Sequence, residues 1–347
     1  MMKRLSIILG LQFASFFSAF AQSNWQKVTE ELIFKNPPFA QCHASTIVEV
    51  SPGKLMAAWF AGTYERHPDV GIWMAIQEKG TWTKPTLLAE GIINDTLRYP
   101  CWNPVLFKAR EGKLFLFYKV GPSPSEWWGL VRTSPNNGKT WSKPERLPNG
   151  ILGPIKNKPV QLANGTILAP SSTEQGEVWR VNLEKSTDLG KTWQRIPVDP
   201  STTLNVIQPS ILLYPNNQLQ LLCRSKHDRL VESWSRDNGN TWSKLVPIAV
   251  CNPNAGTDAV TLKDGRQVLV YNPTTRGKDW ADGRAKLAVA ISNNGQHWTD
   301  IITLEDHPAG EFSYPAIIQT PEGKIHISYT YDRKNIKHVV LAQKSKK

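Results

Sequence analysis

Apolar residues in this chain come in runs of strand length rather than in helical stripes. Six runs lead into a Gly or Asn turn and are answered by a returning strand: 45–53, 105–112, 160–165, 210–217, 259–265 and 316–323. Such pairs predict hairpins. A second pattern follows the first five. Ser186-Thr187-Asp188-Leu189-Gly190-Lys191-Thr192-Trp193 and Ser235-Arg236-Asp237-Asn238-Gly239-Asn240-Thr241-Trp242 share the box S-x-D-x-G-x-T-W. Residues 134–141 carry Asn in the Asp place, 292–298 form a shortened copy, and Gly80-Thr81-Trp82 keeps only the end. The tryptophans fall at 82, 141, 193, 242 and 298, at intervals of 59, 52, 49 and 56.

A strand-rich period near 50 predicts a propeller with one blade per interval. Six hairpins make it an all-β, six-bladed β-propeller with four-stranded antiparallel blades. The sixth hairpin has no box behind it, as expected where a chain closes a ring. Within each box, Asp or Asn and Gly supply the turn, Ser and Thr bond its backbone, and Trp packs between sheets. The boxes are therefore structural.

Composition narrows the class. Fourteen Trp, 25 Pro and 23 Gly fit many short strands and turns. With 40% hydrophobic residues, disorder is excluded. Residues 1–21 read as a secretory signal: Lys3 and Arg4, an apolar stretch, then Ala19-Phe20-Ala21 as the cleavage site. Residues 22–347 then form a single domain, expected in the periplasm or outside the cell. No other apolar run reaches membrane-spanning length, so no span is predicted. Cys42, Cys101, Cys223 and Cys251 lie in strand-like runs without a CxxC pair. Buried free thiols are expected there, and no zinc site. The formal charge is +12, or +10 without Lys3 and Arg4, a field that favours anionic ligands. Phosphate-binding loops, the Rossmann fingerprint, HExxH and the GxSxG elbow are absent, so neither a cofactor nor a catalytic metal is indicated. A nucleic-acid partner is not expected, and the chain is expected to be a monomer.

Innermost strands of a propeller line its axis and open at one mouth. Counting nine residues back from each hairpin turn reaches Asn103, Lys156, Gln208, Gly256 and Tyr314, and counting ten in the first blade reaches His43. Arg224 falls at the mouth end of a returning strand. Asp69, Trp179 and Arg284, counted back from the box tryptophans, fall at the starts of third strands. His43, Asp69, Lys156, Lys158, Gln208, Arg224, Arg284 and Tyr314 are thus expected to converge on a solvated pocket, with Asn103 and Trp179 beside them. Cations so grouped suit a carboxylate or sulfate, Arg by paired hydrogen bonds.

The boxes and the order of the mouth residues resemble the sialidases across residues 22–347. The resemblance implies an exo-glycosidase that removes a terminal acidic sugar from a glycan. Arg224 and Arg284, with Lys156 or Lys158, would hold the sugar carboxylate. Asp69 would be the acid/base and Tyr314 the nucleophile. Two positions depart from the family. His43 stands where its first Arg belongs, and Gln208 where its Glu takes the tyrosine proton, which an amide cannot do. Two alternatives stay open. His43 and Tyr314 beside a carboxylate clamp also suit a uronate-glycan lyase or hydrolase. The third reading is a non-catalytic glycan-binding propeller, with Trp127, Trp128 and Trp179 stacking on sugar rings.

Overall fold

Each predicted hairpin forms, and each is the inner half of a sheet. The computed structural model describes residues 24–344, so the leader expected at 1–21 and the last three residues of the basic tail lie outside them. Among the described residues there are strands and turns but no helix, arranged as a six-bladed β-propeller. Blade 2 runs outward through Cys101–Lys108, Leu114–Val120, Trp128–Ser134 and Glu145–Arg146. Blade 3 uses Val160–Gln161, Ile167–Gln175, Val178–Ser186 and Gln194–Pro197. Blade 4 uses Val206–Leu213, Leu219–Ser225, Arg229–Ser235 and Val246–Cys251. Blade 5 uses Asp258–Thr261, Gln267–Tyr271, Lys286–Ser292 and Thr299–Asp306. In blade 1, Gln41–Ser51, Lys54–Gly62 and Gly71–Glu78 are edged by two short pieces, Thr81–Trp82 and Thr86–Ala89.

Blade 6 closes the ring. Its Phe312–Gln319, Ile325–Tyr331 and Asn335–Gln343 come from the end of the chain, but its outer strand is Trp25–Leu32 from the beginning. This explains the missing sixth box, because the outer strand does not follow the third in sequence.

The boxes join third to outer strands in blades 2 to 5. In blade 3, Asp188 accepts from the Thr192 amide at 2.9 Å and its hydroxyl at 2.6 Å, while the Gly190 amide donates to Ser186 Oγ. Trp193 Nε1 donates to the Gly190 carbonyl, and its ring meets Phe117 of blade 2 edge-on at 5.9 Å. The box thus turns the chain and staples adjacent blades. Cys42, Cys101, Cys223 and Cys251 are free thiols, the first three buried.

At the axis the blades are tied by side chains. Asp258 of blade 5 is 2% exposed and accepts from Ser210 Oγ of blade 4, the Ile317 amide of blade 6 and Lys158 ahead of blade 3. Four inner strands share a bulge at the mouth end. Register slips between His43 and Thr46, Trp102 and Val105, Ile207 and Ser210, and Ser313 and Ala316. Each slip contains a residue with left-handed backbone: Ala44 (φ 54°), Asn103 (22°), Gln208 (54°) and Tyr314 (53°). A bulge re-aims a side chain, and its cost of about 1–3 kcal/mol per left-handed non-glycine residue must be carried by the surrounding sheet.

Candidate active site

The bulges turn Asn103, Gln208 and Tyr314 into a cavity of about 590 Å³ at the mouth. Its lining also includes His43, Arg224 and Arg284, so six of the expected residues converge. The count of ten in blade 1 has a physical reason. Ala44, nine residues before Gly53, occupies the bulge, and His43 enters from the preceding position.

Tyr314 is the centre of the group. Its phenol oxygen accepts from Arg224 Nη1 at 2.5 Å, and its ring lies 4.2 Å from the His43 imidazole. The same Arg224 nitrogen reaches Gln208 Oε1 at 3.2 Å, and Nε donates to Asn254 Oδ1 at 2.8 Å. Arg224 and Arg284 each place their guanidinium carbon within 6 Å of the Tyr314 ring centre. Gly256 permits this crowding: a Cβ there would lie 2.8 Å from Lys156 Cε and 3.1 Å from Tyr314 Cγ.

A third arginine joins them from a place the counting did not reach. Arg333 sits in the turn between the second and third strands of blade 6 and lines the cavity. Glu311, buried behind the wall, accepts from Arg284 Nη1 at 2.8 Å, Arg333 Nε at 2.5 Å and Ser313 Oγ. Burial opposes its ionisation, but the two guanidiniums prevail and hold its carboxyl below the usual range. Arg333 also pairs with Glu65, which lines the cavity with Arg66. His43 is driven the other way. Burial and the charges of Arg333, Arg284, Arg224 and Lys156 push its pKa well below normal, so it is neutral. Its Nδ1 meets Thr330 Oγ1, while Nε2 stands 4.0 Å from Glu311.

Four expected residues lie outside the lining. Lys156 points along the axis, donating to Asn157 Oδ1 and to the Thr257 and Pro315 carbonyls. Burial lowers its pKa to about 7. Lys158 is committed to Asp258 and the Ala259 carbonyl. Both lysines brace the floor, and the third cation is Arg333. Trp179 supports the wall from behind, with the charged groups of Arg224 and Lys226 over its ring at 5.4 and 4.4 Å. Asp69, three residues beyond Arg66, accepts from the Thr63 amide and hydroxyl and contacts His67 at 2.7 Å. Burial is the largest single influence and opposes ionisation, but these partners together outweigh it and keep its carboxyl below the usual range.

Residues absent from the sequence reading complete the wall: Gln41, Tyr64, Trp102, Pro124, Glu174 and Trp280, besides Glu65, Arg66 and Arg333, and they are joined by Trp127, one of the tryptophans expected to stack on sugar rings. Most lie in or beside the loops joining second to third strands, which all open at the mouth. Trp280 covers the guanidiniums of Arg284 and Arg333 at 5.0 and 4.9 Å and is 64% exposed. Arg284 Nε and Trp127 Nε1 are buried donors without a partner. Four Arg against two Glu in the lining, with donors to spare, suit an anionic, hydroxyl-rich ligand.

Comparison with known proteins agrees with this architecture. Residues 53–327 match the BNR repeat-like domain family. The chain belongs to the sialidase-like BNR-repeat family. Over 226 residues it is 23% identical to the anhydrosialidase of Macrobdella decora, an alignment covering 57% of this chain and 29% of that protein. A protein of unknown function from Dyadobacter fermentans superposes with TM-score 0.75 at 18% identity, covering 92% of this chain and 99% of the other. The NanB sialidase of Streptococcus pneumoniae gives 0.70 at 14%, covering 90% and 70%. Among the described residues there is no cluster of His, Cys, Asp or Glu able to hold a metal ion, and no helix long and apolar enough to cross a membrane.

Proposed function

We propose that this protein is an exported glycosidase that releases a terminal acidic sugar of the sialic-acid type from glycans. One observation carries the reading: Arg224, Arg284 and Arg333 surround Tyr314 in a single cavity, with Arg224 bonded to the phenol oxygen. Planar guanidiniums grip a carboxylate through paired hydrogen bonds, and Glu311 fixes the directions of two of them. A carboxylate held there would present the adjoining anomeric carbon to Tyr314. A phenol can approach an anionic centre without the repulsion a carboxylate nucleophile would meet, and sialidases are the known tyrosine exception among glycosidases. The relative from Macrobdella decora is an anhydrosialidase, which supports the same sugar class.

His43 fits a proton-abstraction role less well, because Nδ1 is engaged by Thr330 and Nε2 faces Glu311. The test is incubation with a 4-methylumbelliferyl sialoside, and separately with uronate glycans followed by absorbance of an unsaturated product. Sialoside cleavage by the wild type, abolished in Tyr314→Phe, supports the reading. Elimination from uronates would replace it, and glycan binding without either reaction would make the protein a lectin-like propeller.

A further inference from the structure

We propose that Glu174, rather than Asp69, is the general acid and base of this site. The proposal rests on the glycosidase reading above. It starts from placement. Glu174 lies one residue from the mouth end of the second strand of blade 3. Side chains alternate along a strand, so Glu174 shares a face with Ser172. Ser172 Oγ accepts from the Gln208 amide at 3.2 Å, which fixes that face against the start of the blade 4 inner strand. Glu174 therefore stands one step above Gln208, toward the opening, and lines the cavity.

Commitment of the neighbouring carboxylates gives the second argument. Glu65 is paired with Arg333, and Glu311 is locked between Arg284 and Arg333. Asp69 is outside the lining, its carboxylate occupied by Thr63 and His67. Among the described residues the Glu174 carboxylate has no hydrogen-bond or ion-pair partner, its backbone alone being held in the blade 3 ladder. Charged groups face it from two neighbouring elements: Arg224 and Lys226 from blade 4, and Glu65 and Arg66 from the loop after the second strand of blade 1. Burial raises its pKa, Glu65 adds to the rise, and the three cations only partly offset it. Asp69 is shifted in the opposite direction. A proton donor needs its carboxyl shifted upward, and of these two carboxylates only Glu174 is shifted that way.

The step balances. Glu174 gives its proton to the glycosidic oxygen as the bond from that oxygen to the anomeric carbon breaks, the bonding pair staying on oxygen. Tyr314 Oη bonds to the anomeric carbon and its proton passes to cavity water. A water molecule then attacks that carbon, giving a proton to the Glu174 carboxylate, while the released phenolate recovers its own.

The experiment compares two substrates of different leaving-group quality. A 4-methylumbelliferyl sialoside leaves readily without a proton, whereas sialyllactose does not. Glu174→Gln should lower kcat/KM on sialyllactose by about 10²–10⁴-fold, cost the aryl substrate less than about tenfold, and remove the alkaline limb of the pH profile. Asp69→Asn should affect both substrates by the same factor. An active wild type whose Glu174→Gln variant loses both substrates equally, or neither, overturns this assignment alone, as does leaving-group dependence appearing in Asp69→Asn. A wild type inert on both substrates overturns the glycosidase reading and this assignment with it. Carboxyl-carbon NMR of the full chain adds a readout independent of turnover: a Glu174 signal titrating at or below the ordinary value of about 4.3 also overturns the assignment.

Discussion

Arg224 donates to the phenol oxygen of Tyr314 across 2.5 Å, from the same nitrogen that reaches Gln208. One planar fork therefore serves the phenol, the amide beside it and Asn254 together. Lysine carries the charge but not the fork. Arg224→Lys should cut kcat on a sialoside by at least about 100-fold while raising KM less than tenfold, a loss of about 3 kcal/mol in the transition state. Steady-state kinetics check this. A raised KM with kcat unchanged would assign Arg224 to binding alone.

Glu311 should reveal itself through acid stability. Its carboxyl titrates below the usual range, so the unfolded chain takes up its proton first. Its contribution is whole above about 4.3 and is lost as pH falls through the folded value. Glu311→Gln leaves the buried Arg284 and the half-buried Arg333 without their shared counter-charge, at a cost of about 3–5 kcal/mol. Urea unfolding between pH 3 and 8 should show a lower plateau and a shallower acid limb than the wild type.

The neutral imidazole of His43 predicts another acid effect. Its folded pKa lies well below 6.5, so below that pH the unfolded state binds a proton that the folded state refuses. Stability attributable to His43 should fall as pH drops beneath about 6.5. His43→Gln removes this slope, and the difference in melting temperature between pH 7.5 and 5 should shrink in the variant.

Asp258 offers a test of the axis. It collects bonds from blades 4 and 6 and the segment leading into blade 3 while almost fully buried. Asp258→Ala strips the Lys158 ammonium of its counter-charge and the Ile317 amide of its acceptor, which should cost about 3–5 kcal/mol. Chemical denaturation measures it, and a loss under 1 kcal/mol would mean that water replaces the carboxylate.

The propeller was legible because its boxes are hairpin chemistry repeated at blade spacing, and turn chemistry is local. The closing strand Trp25–Leu32 was not, because six of its eight residues face solvent as exposed positions and leave no apolar run to read. Arg333 escaped for a related reason: blade 6 has no box tryptophan from which to count. Lys156 illustrates the limit of counting. Counting puts it at the start of the blade 3 inner strand, but that strand begins only at Val160, and the Lys156 side chain turns along the axis to backbone carbonyls. Three of the bulges did carry a local mark, since Asn103, Gln208 and Tyr314 each precede a proline, which cannot donate to a ladder. Glu174 carried no mark at all. Only the apposition of blades 3 and 4 singles it out.

The pairing of Trp25 with Gln343 and of Leu32 with Lys337 has a temporal side. During synthesis Trp25–Leu32 must wait, edge unsatisfied, until Asn335–Gln343 has been made. Five blades can assemble in order as they emerge, but the circle latches only when these two strands, more than 300 residues apart, meet.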